Sequence, residues 1–177
     1  MFDTAGNPTT FRNTSGQTFN NDNQRSADTL DGNGNPTTYG TTSVTYDAEN
    51  RITAYGSTFT AGYDGDGLRA WSQSGSTKYY YLYDGTTPLI QLYSSGSIYA
   101  TETNGDNGLL SRYYTGSPSD DTFWTFDPMG NTAQRLNTAQ GILSTDLYDA
   151  WGNFSGSSLG VFGYGAQWGY YTAQQQA

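Results

Sequence analysis

The chain has no cysteine and no histidine. The first absence rules out disulfides and leaves the redox compartment unread. Together the two rule out catalytic triads built on either residue and the common zinc sites. No apolar run approaches the ~18 residues of a membrane-spanning helix, and Met1 is followed by polar, acidic sequence rather than a basic and then apolar signal region. Positive charge is scarce: 7 Lys and Arg stand against 16 Asp and Glu, a formal net charge of −9. That balance repels phosphate backbones and anionic headgroups, so neither nucleic acid nor membrane insertion is expected.

What the chain has in quantity is aromatic residues. Its 16 Tyr, 8 Phe and 4 Trp outnumber Val, Ile and Leu together, while charged residues make up 13%. Disordered segments are poor in aromatic and β-branched residues, so this Tyr- and Thr-rich chain reads as ordered in spite of its 23 glycines. At 177 residues it suits one domain or two small ones, reads as one, and can bury a core without metal or disulfide staples.

One unit keeps returning: an aromatic or Leu, then Asp, then two loose positions, then Gly or Asn. It reads Phe2-Asp3-Thr4-Ala5-Gly6, Leu30-Asp31-Gly32-Asn33-Gly34, Tyr46-Asp47-Ala48-Glu49-Asn50, Tyr63-Asp64-Gly65-Asp66-Gly67, Phe126-Asp127-Pro128-Met129-Gly130 and Tyr148-Asp149-Ala150-Trp151-Gly152. Decayed copies stand at Phe19-Asn20-Asn21-Asp22-Asn23 and Tyr83-Asp84-Gly85. An Asp carboxylate accepts hydrogen bonds from N–H groups two residues on, and Gly or Asn tolerates positive φ, so the unit is a chain-reversal signal. A spacing of roughly twenty residues leaves room for two strands and two turns.

Between the turns the residues alternate as half-buried strands do. Leu68–Gln73 and Lys78–Tyr83 flank Ser74-Gly75-Ser76-Thr77, and Pro88–Tyr93 and Ile98–Glu102 flank Ser94-Ser95-Gly96-Ser97. Thr122–Asp127, Thr132–Asn137 and Ile142–Asp149 form a three-strand meander. No window carries helical spacing of apolar positions. The expected fold is all-β, a curved antiparallel meander of consecutive hairpins, open-edged rather than closed into a small barrel. Residues 1–43 read as weaker repeats, 44–172 as the best copies, 103–121 as a long loop and 173–177 as a frayed tail.

Candidate chemistry is thin, and at each position the bland reading is favoured. Gly156-Ser157-Ser158-Leu159-Gly160 matches a hydrolase elbow but has no His partner or following helix. Asp64 with Asp66 and Asp120 with Asp121 are the nearest carboxylate pairs, yet neighbours in a turn face solvent and backbone N–H groups rather than each other across a glycosidic bond. Asp31, Asn33 and Asn35 offer calcium-loop oxygens, but Pro36 stands where Gly is required and Thr42 replaces the bidentate Glu, so turn capping is favoured. Tyr79, Tyr81 and Trp71 could stack on sugar rings; the same spacing fills one face of a sheet poor in Leu and Val. The sequons Asn13-Thr14-Ser15 and Asn153-Phe154-Ser155 matter only in a glycosylating compartment. No cofactor and no enzymatic activity are expected.

Laid out in order, "TYDAENRITAY", "YDGDGLRAW", "YYYLYDGTTPLIQLYSSGS" and "LYDAWGNF" resemble the late shell region of RHS/YD-repeat proteins, which include bacterial toxin-complex shells and teneurins. The resemblance covers nearly all of the chain. It departs from the pattern at Phe126–Asn131, where many relatives carry a His-containing stretch, and Asp127-Pro128, similar to the Asp-Pro of the family's cleavage region, falls in a hairpin turn. Phe162–Tyr171 is similar to the opening of the family's core segment, so the aspartyl self-cleavage machinery and cargo placed beyond that point are expected to lie outside these residues.

The resemblance implies an extracellular or cell-surface β-shell wall, with encapsulation of a toxin or other cargo as its purpose. Partners would be neighbouring repeats of the same or a longer chain. On that reading Asp3, Asp31, Asp47, Asp64, Asp84, Asp127 and Asp149, with Gly6, Gly34, Gly67, Gly130 and Gly152, set the turns. Phe2, Tyr46, Tyr63, Tyr83, Phe126 and Tyr148 pack beside them. The rival readings are a self-assembling filament or ring subunit joined through open sheet edges and a glycan-binding module.

Overall fold

A computed structural model describes residues 1–11, 14–149, 152–156 and 160–171. The fold is all-β, antiparallel throughout, with no α-helix among the described residues. Two compact units divide the chain, Met1–Ser57 and Thr58–Ala177, where the sequence suggests a single domain. The reason lies in side-chain supply: Val44 alone provides a buried hydrophobic side chain in the first unit, and the rest of that core lies in the second.

The first unit is built from turns more than from strands. Residues β1 (Thr10–Phe11) and β2 (Thr14–Ser15) pair with each other. Single bridges join Phe2 to Pro8, Phe19 to Arg25 and Leu30 to Pro36. After β3 (Thr38–Tyr39), the strands β4 (Thr42–Tyr46) and β5 (Ile52–Tyr55) make the one longer hairpin.

In the second unit ten strands follow one another in chain order: β6 (Phe59–Tyr63), β7 (Arg69–Ser74), β8 (Thr77–Asp84), β9 (Thr87–Tyr93), β10 (Ile98–Gly105), β11 (Gly108–Tyr114), β12 (Thr122–Phe126), β13 (Thr132–Leu136), β14 (Ile142–Tyr148) and β15 (Phe154–Gly156). Each pairs with its sequence neighbours, and β15 does not return to β6, so the sheet is not closed into a barrel. The three expected hairpin regions, over 68–83, 88–102 and 122–149, are present.

The expected long loop over 103–121 is a correction. β10 runs on to Gly105, and β11 returns from Gly108 through a turn at Asp106 and Asn107. Gly, Asn and Asp crowd there because the chain reverses over Asp106 and Asn107 and the residue that follows, Gly108, takes a positive φ of 97°. Irregular chain is confined to a shorter stretch before β12 that contains a single 3₁₀ turn at Pro118–Asp120.

One face of this sheet is packed. Alternation puts Ala61, Ser72, Tyr81, Gln91, Ala100, Glu102, Arg112, Thr122, Trp124 and Ser144 inward, all buried. Residues 160–171 then run back across the strands on that face. Gly163 accepts from the Thr132 N–H at 3.0 Å, and the Gln167 N–H donates to the Gly130 carbonyl at 3.0 Å. Phe162 and Ala166 close a core with Leu109 and Trp124, the Phe162 and Trp124 rings meeting edge-on with centroids 5.4 Å apart. On the opposite face Tyr80, Leu82, Tyr113, Phe123 and Leu147 are exposed.

Candidate functional site

The repeated unit forms one backbone shape. At Asp3 the carboxylate Oδ1 accepts from the N–H of Ala5 at 2.9 Å and of Asn7 at 2.8 Å, while Oδ2 accepts from Asn7 Nδ2 at 3.0 Å. The Asp3 N–H donates to the Asn7 carbonyl at 2.9 Å, and the Gly6 N–H closes the turn onto the Asp3 carbonyl at 3.1 Å. Gly6 has φ of 86°. This is a type I turn followed by a left-handed residue, the three-residue hairpin loop whose bulge matches strand twist.

The same pattern recurs at Asp31, Asp47, Asp64, Asp127 and Asp149, with Gly34, Asn50, Gly67, Gly130 and Gly152 at positive φ. Oδ1 takes the N–H four residues on in each: Asn35 at 2.9 Å, Arg51 at 2.9 Å, Leu68 at 2.8 Å, Asn131 at 3.0 Å and Asn153 at 2.9 Å. The aromatic or Leu before each Asp pairs with the residue after the turn, as Tyr46 does with Ile52, Tyr63 with Arg69, Phe126 with Thr132 and Tyr148 with Phe154. A register shift marks the bulge at Tyr46, Tyr63 and Phe126. Phe2 pairs with Pro8 in the same relation.

Two copies carry Asn in place of Asp. Asn20 Oδ1 accepts from Asp22 and Gln24, and Asn137 Oδ1 accepts from Ala139 at 3.0 Å and Gly141 at 2.8 Å, with Gln140 at a φ of 66°. Sequence reasoning placed a turn at 138–141 without marking Asn137; Leu136-Asn137 in the aromatic-Asp position is the signal that would have found it. Asp84 stands apart, pairing with Thr87 across a two-residue turn in which Gly85 has φ of 58°.

In the first unit the turns also bond to one another: Asn7 Nδ2 donates to Asn23 Oδ1 at 2.9 Å, and Asn35 Nδ2 to Asn50 Oδ1 at 2.7 Å.

At Asp3, Asp31, Asp47 and Asp127 hydrogen bonds favour the charged form. Asn7 side-chain and backbone donors lower the Asp3 pKa, the Asn35 donors lower that of Asp31, and the Arg51 N–H lowers that of Asp47 against an opposing desolvation. At Asp127 burial acts upward, and the Asn131, Met129 and Gly130 donors outweigh it, leaving the carboxyl below its usual range. Asp31 caps its turn by taking the Asn33 and Asn35 N–H groups on Oδ1. Among the described residues no three His, Cys, Asp or Glu gather as a metal group would.

The other concentration of polar chemistry was missed at the sequence level. Glu102 and Arg112 face each other across β10 and β11, both buried. The guanidinium donates to Glu102 Oε1 and to Gln91 Oε1, and the Tyr171 hydroxyl donates to the same Glu102 oxygen at 2.8 Å. Arg112 Cζ lies 4.8 Å from the Tyr114 ring centroid and 5.6 Å from that of Tyr99. Burial raises the Glu102 pKa while Arg112 and the Tyr171 hydroxyl oppose it. Burial alone would lower Arg112, but Tyr171, Glu102 and Tyr114 carry it above its usual value. Each is the one charged residue of its strand, and that opposition of signs across a hairpin is a readable signal.

Around this pair lies a layer of phenols. Tyr79 sits 4.8 Å from Tyr99 and 5.8 Å from Tyr93 between centroids, and Tyr81 meets Tyr171 at 5.4 Å. Burial pushes Tyr79, Tyr83 and Tyr148 up to about 12. Of the residues weighed as sugar platforms, Tyr81 is 5% exposed and bonds the Ser72 hydroxyl at 2.7 Å, so its ring is packed rather than open to a sugar. Trp71 lies against Gly62, whose missing Cβ makes room for the indole, and Lys78 Nζ stands 3.9 Å from its ring centroid.

The carboxylate pairs are also placed. Asp64 accepts from the Asp66 N–H at 3.0 Å, and Asp121 accepts from the Tyr114 N–H at 2.8 Å. Asn153 donates its amide to Asp149. Asn13, Ala150, Trp151, Ser157, Ser158, Leu159 and Thr172, with the expected frayed tail 173–177, lie outside the described residues.

Neither a protein-family model nor a curated protein matches this sequence.

Proposed function

We propose that this chain is a non-catalytic structural protein, a segment of RHS/YD-repeat β-shell wall that encloses or displays cargo in a secreted or cell-surface protein. The observation that carries the reading is the identity of two sets of residues: those that repeat in the sequence are those that turn the chain. A catalytic or binding series would aim its carboxylates at a common space. Here they are aimed at the N–H groups of their own turns, and the strands of the second unit are laid side by side in chain order.

A second reading, a filament or ring subunit, is favoured by β15, whose outer edge pairs with no described strand. Electron microscopy of the purified chain, with light scattering at rising concentration, separates the two. The wall reading expects discrete sheet-like particles whose mass does not grow with concentration. Growth into fibres or closed rings would replace it with the second reading.

A further inference from the structure

A cleft of about 350 Å³ opens between the Tyr63 and Tyr83 strand ends and the returning segment, where it is lined by Arg69, Pro88, Trp168 and Tyr170 among others. We propose that it binds a uronic acid unit of an acidic polysaccharide, with Arg69 taking the carboxylate and Trp168 and Tyr170 taking the sugar face.

Arg69 is the unusual element. The chain carries a net charge of −9, and the other described arginines, Arg25, Arg51, Arg112 and Arg135, each have a carboxylate within ion-pair distance. Arg69 has none among the described residues. Its Nε is buried without a hydrogen-bond partner, while its Cζ rests 5.5 Å from the Phe59 ring centroid. With Nε covered, the two Nη groups are the donors left to take a carboxylate. Asp64, on the adjoining turn, has its Oδ1 turned onto the Asp66 and Leu68 N–H groups.

The rest of the lining fits a hydroxylated ring. Trp168 and Tyr170 are 63% and 67% exposed, and flat apolar faces left open in this way suit a chain passing across the cleft better than a side chain entering a slot. Tyr83 donates its hydroxyl to the Arg69 carbonyl at 3.0 Å and keeps lone pairs for a sugar hydroxyl. The rim is held in place: the Gln167 side chain donates to the Asn107 carbonyl at 2.7 Å, and the Gly165 N–H to Asn131 Oδ1 at 2.9 Å. The proposal stands apart from the wall reading, which an empty cleft would leave untouched.

The test is calorimetric titration of the whole chain with oligogalacturonate, with a neutral cello-oligosaccharide and with a short peptide ending in an aromatic residue. The expected result is saturable oligogalacturonate binding with a dissociation constant of about 1 mM or tighter, weakened by salt, with little response to the neutral sugar. Trp168→Ala and Tyr170→Ala should each weaken it roughly tenfold, about 1.4 kcal/mol, with the unfolding temperature little changed. Arg69→Lys should weaken it more, since an ammonium lacks the fork. No oligogalacturonate binding overturns the proposal. So do equal binding of the neutral sugar, preference for the peptide, or full affinity in both aromatic variants with the fold intact.

Discussion

The two units use the same turn to different ends. Asp3, Asp31 and Asp47 close their loops in the first unit with the bonds that Asp64, Asp127 and Asp149 make in the second. Yet before its β4–β5 hairpin the first unit yields two-residue strands and single bridges, whereas the second yields strands of up to eight residues over a buried face. The turn fixes where the chain reverses; it does not supply what the strands pack upon. Packing comes from inward phenols and a returning segment, and the first unit substitutes amide bonds between Asn7 and Asn23 and between Asn35 and Asn50. Small strands without a packed face are marginal, so the first unit should open at lower cost than the second.

The largest way to break the contrast lies at the buried ion pair. Arg112→Met strands Glu102 without its counter-charge and should destabilise the second unit by about 4 kcal/mol. Combining it with Glu102→Leu should recover most of that loss, as chemical denaturation of the three variants would report. An unfolding curve for the double variant no better than the single one would remove the pair from the account.

Next comes Gly130→Ala. The position has φ of 82°, and a Cβ there would lie 2.7 Å from Trp168 Nε1, so the substitution strains the turn and lifts the returning segment. The expected cost is about 2 kcal/mol, visible as faster amide exchange over 163–169. Asp127→Ala follows, costing about 1–2 kcal/mol through its N–H bonds. It should leave the meander intact; unchanged stability would show that the carboxylate does not hold the turn.

The gentlest probe is pH. Asp3, Asp31, Asp47 and Asp127 have folded pKa values below the unfolded value of ~3.9. Their contribution is therefore complete above that pH and lost as pH falls through the lower folded values. Asp146 has the opposite sign: burial raises it, and the Ser144 hydroxyl and Arg135 oppose without prevailing. Its protonation on mild acidification restores stability, a gain complete once pH reaches the unfolded value. Amide exchange should show the second unit holding or gaining protection on the way to about pH 4, with the first unit losing protection below it. Asp146→Asn should remove its share of the gain and leave that of Glu102, which burial also raises.

The turns were legible because a carboxylate and a left-handed residue have few sequence solutions, and the chain repeats them. The Tyr79–Tyr81–Tyr83 alternation was legible for the same reason, since period two admits one inward face. The hairpin from β10 to β11 was not, because Asn104, Gly105, Asp106, Asn107 and Gly108 carry the composition of a loop while forming strand ends and a tight turn. Glu102 and Arg112 escaped because their pairing depends on a register that this same misread turn sets. Phe162 and Ala166 escaped because nothing local says that a glycine-rich stretch will lie across the strands.

The central claim is that these aspartates act on their own backbone, and ¹³C NMR titration of the side-chain carboxyls tests it most directly. The account predicts that Asp3, Asp31, Asp47 and Asp127 all titrate below the ordinary aspartate value, and that the amide protons four residues on shift with them. Titration of these four at or above the ordinary value, with amides at Asn7, Asn35, Arg51 and Asn131 indifferent to it, would contradict the account.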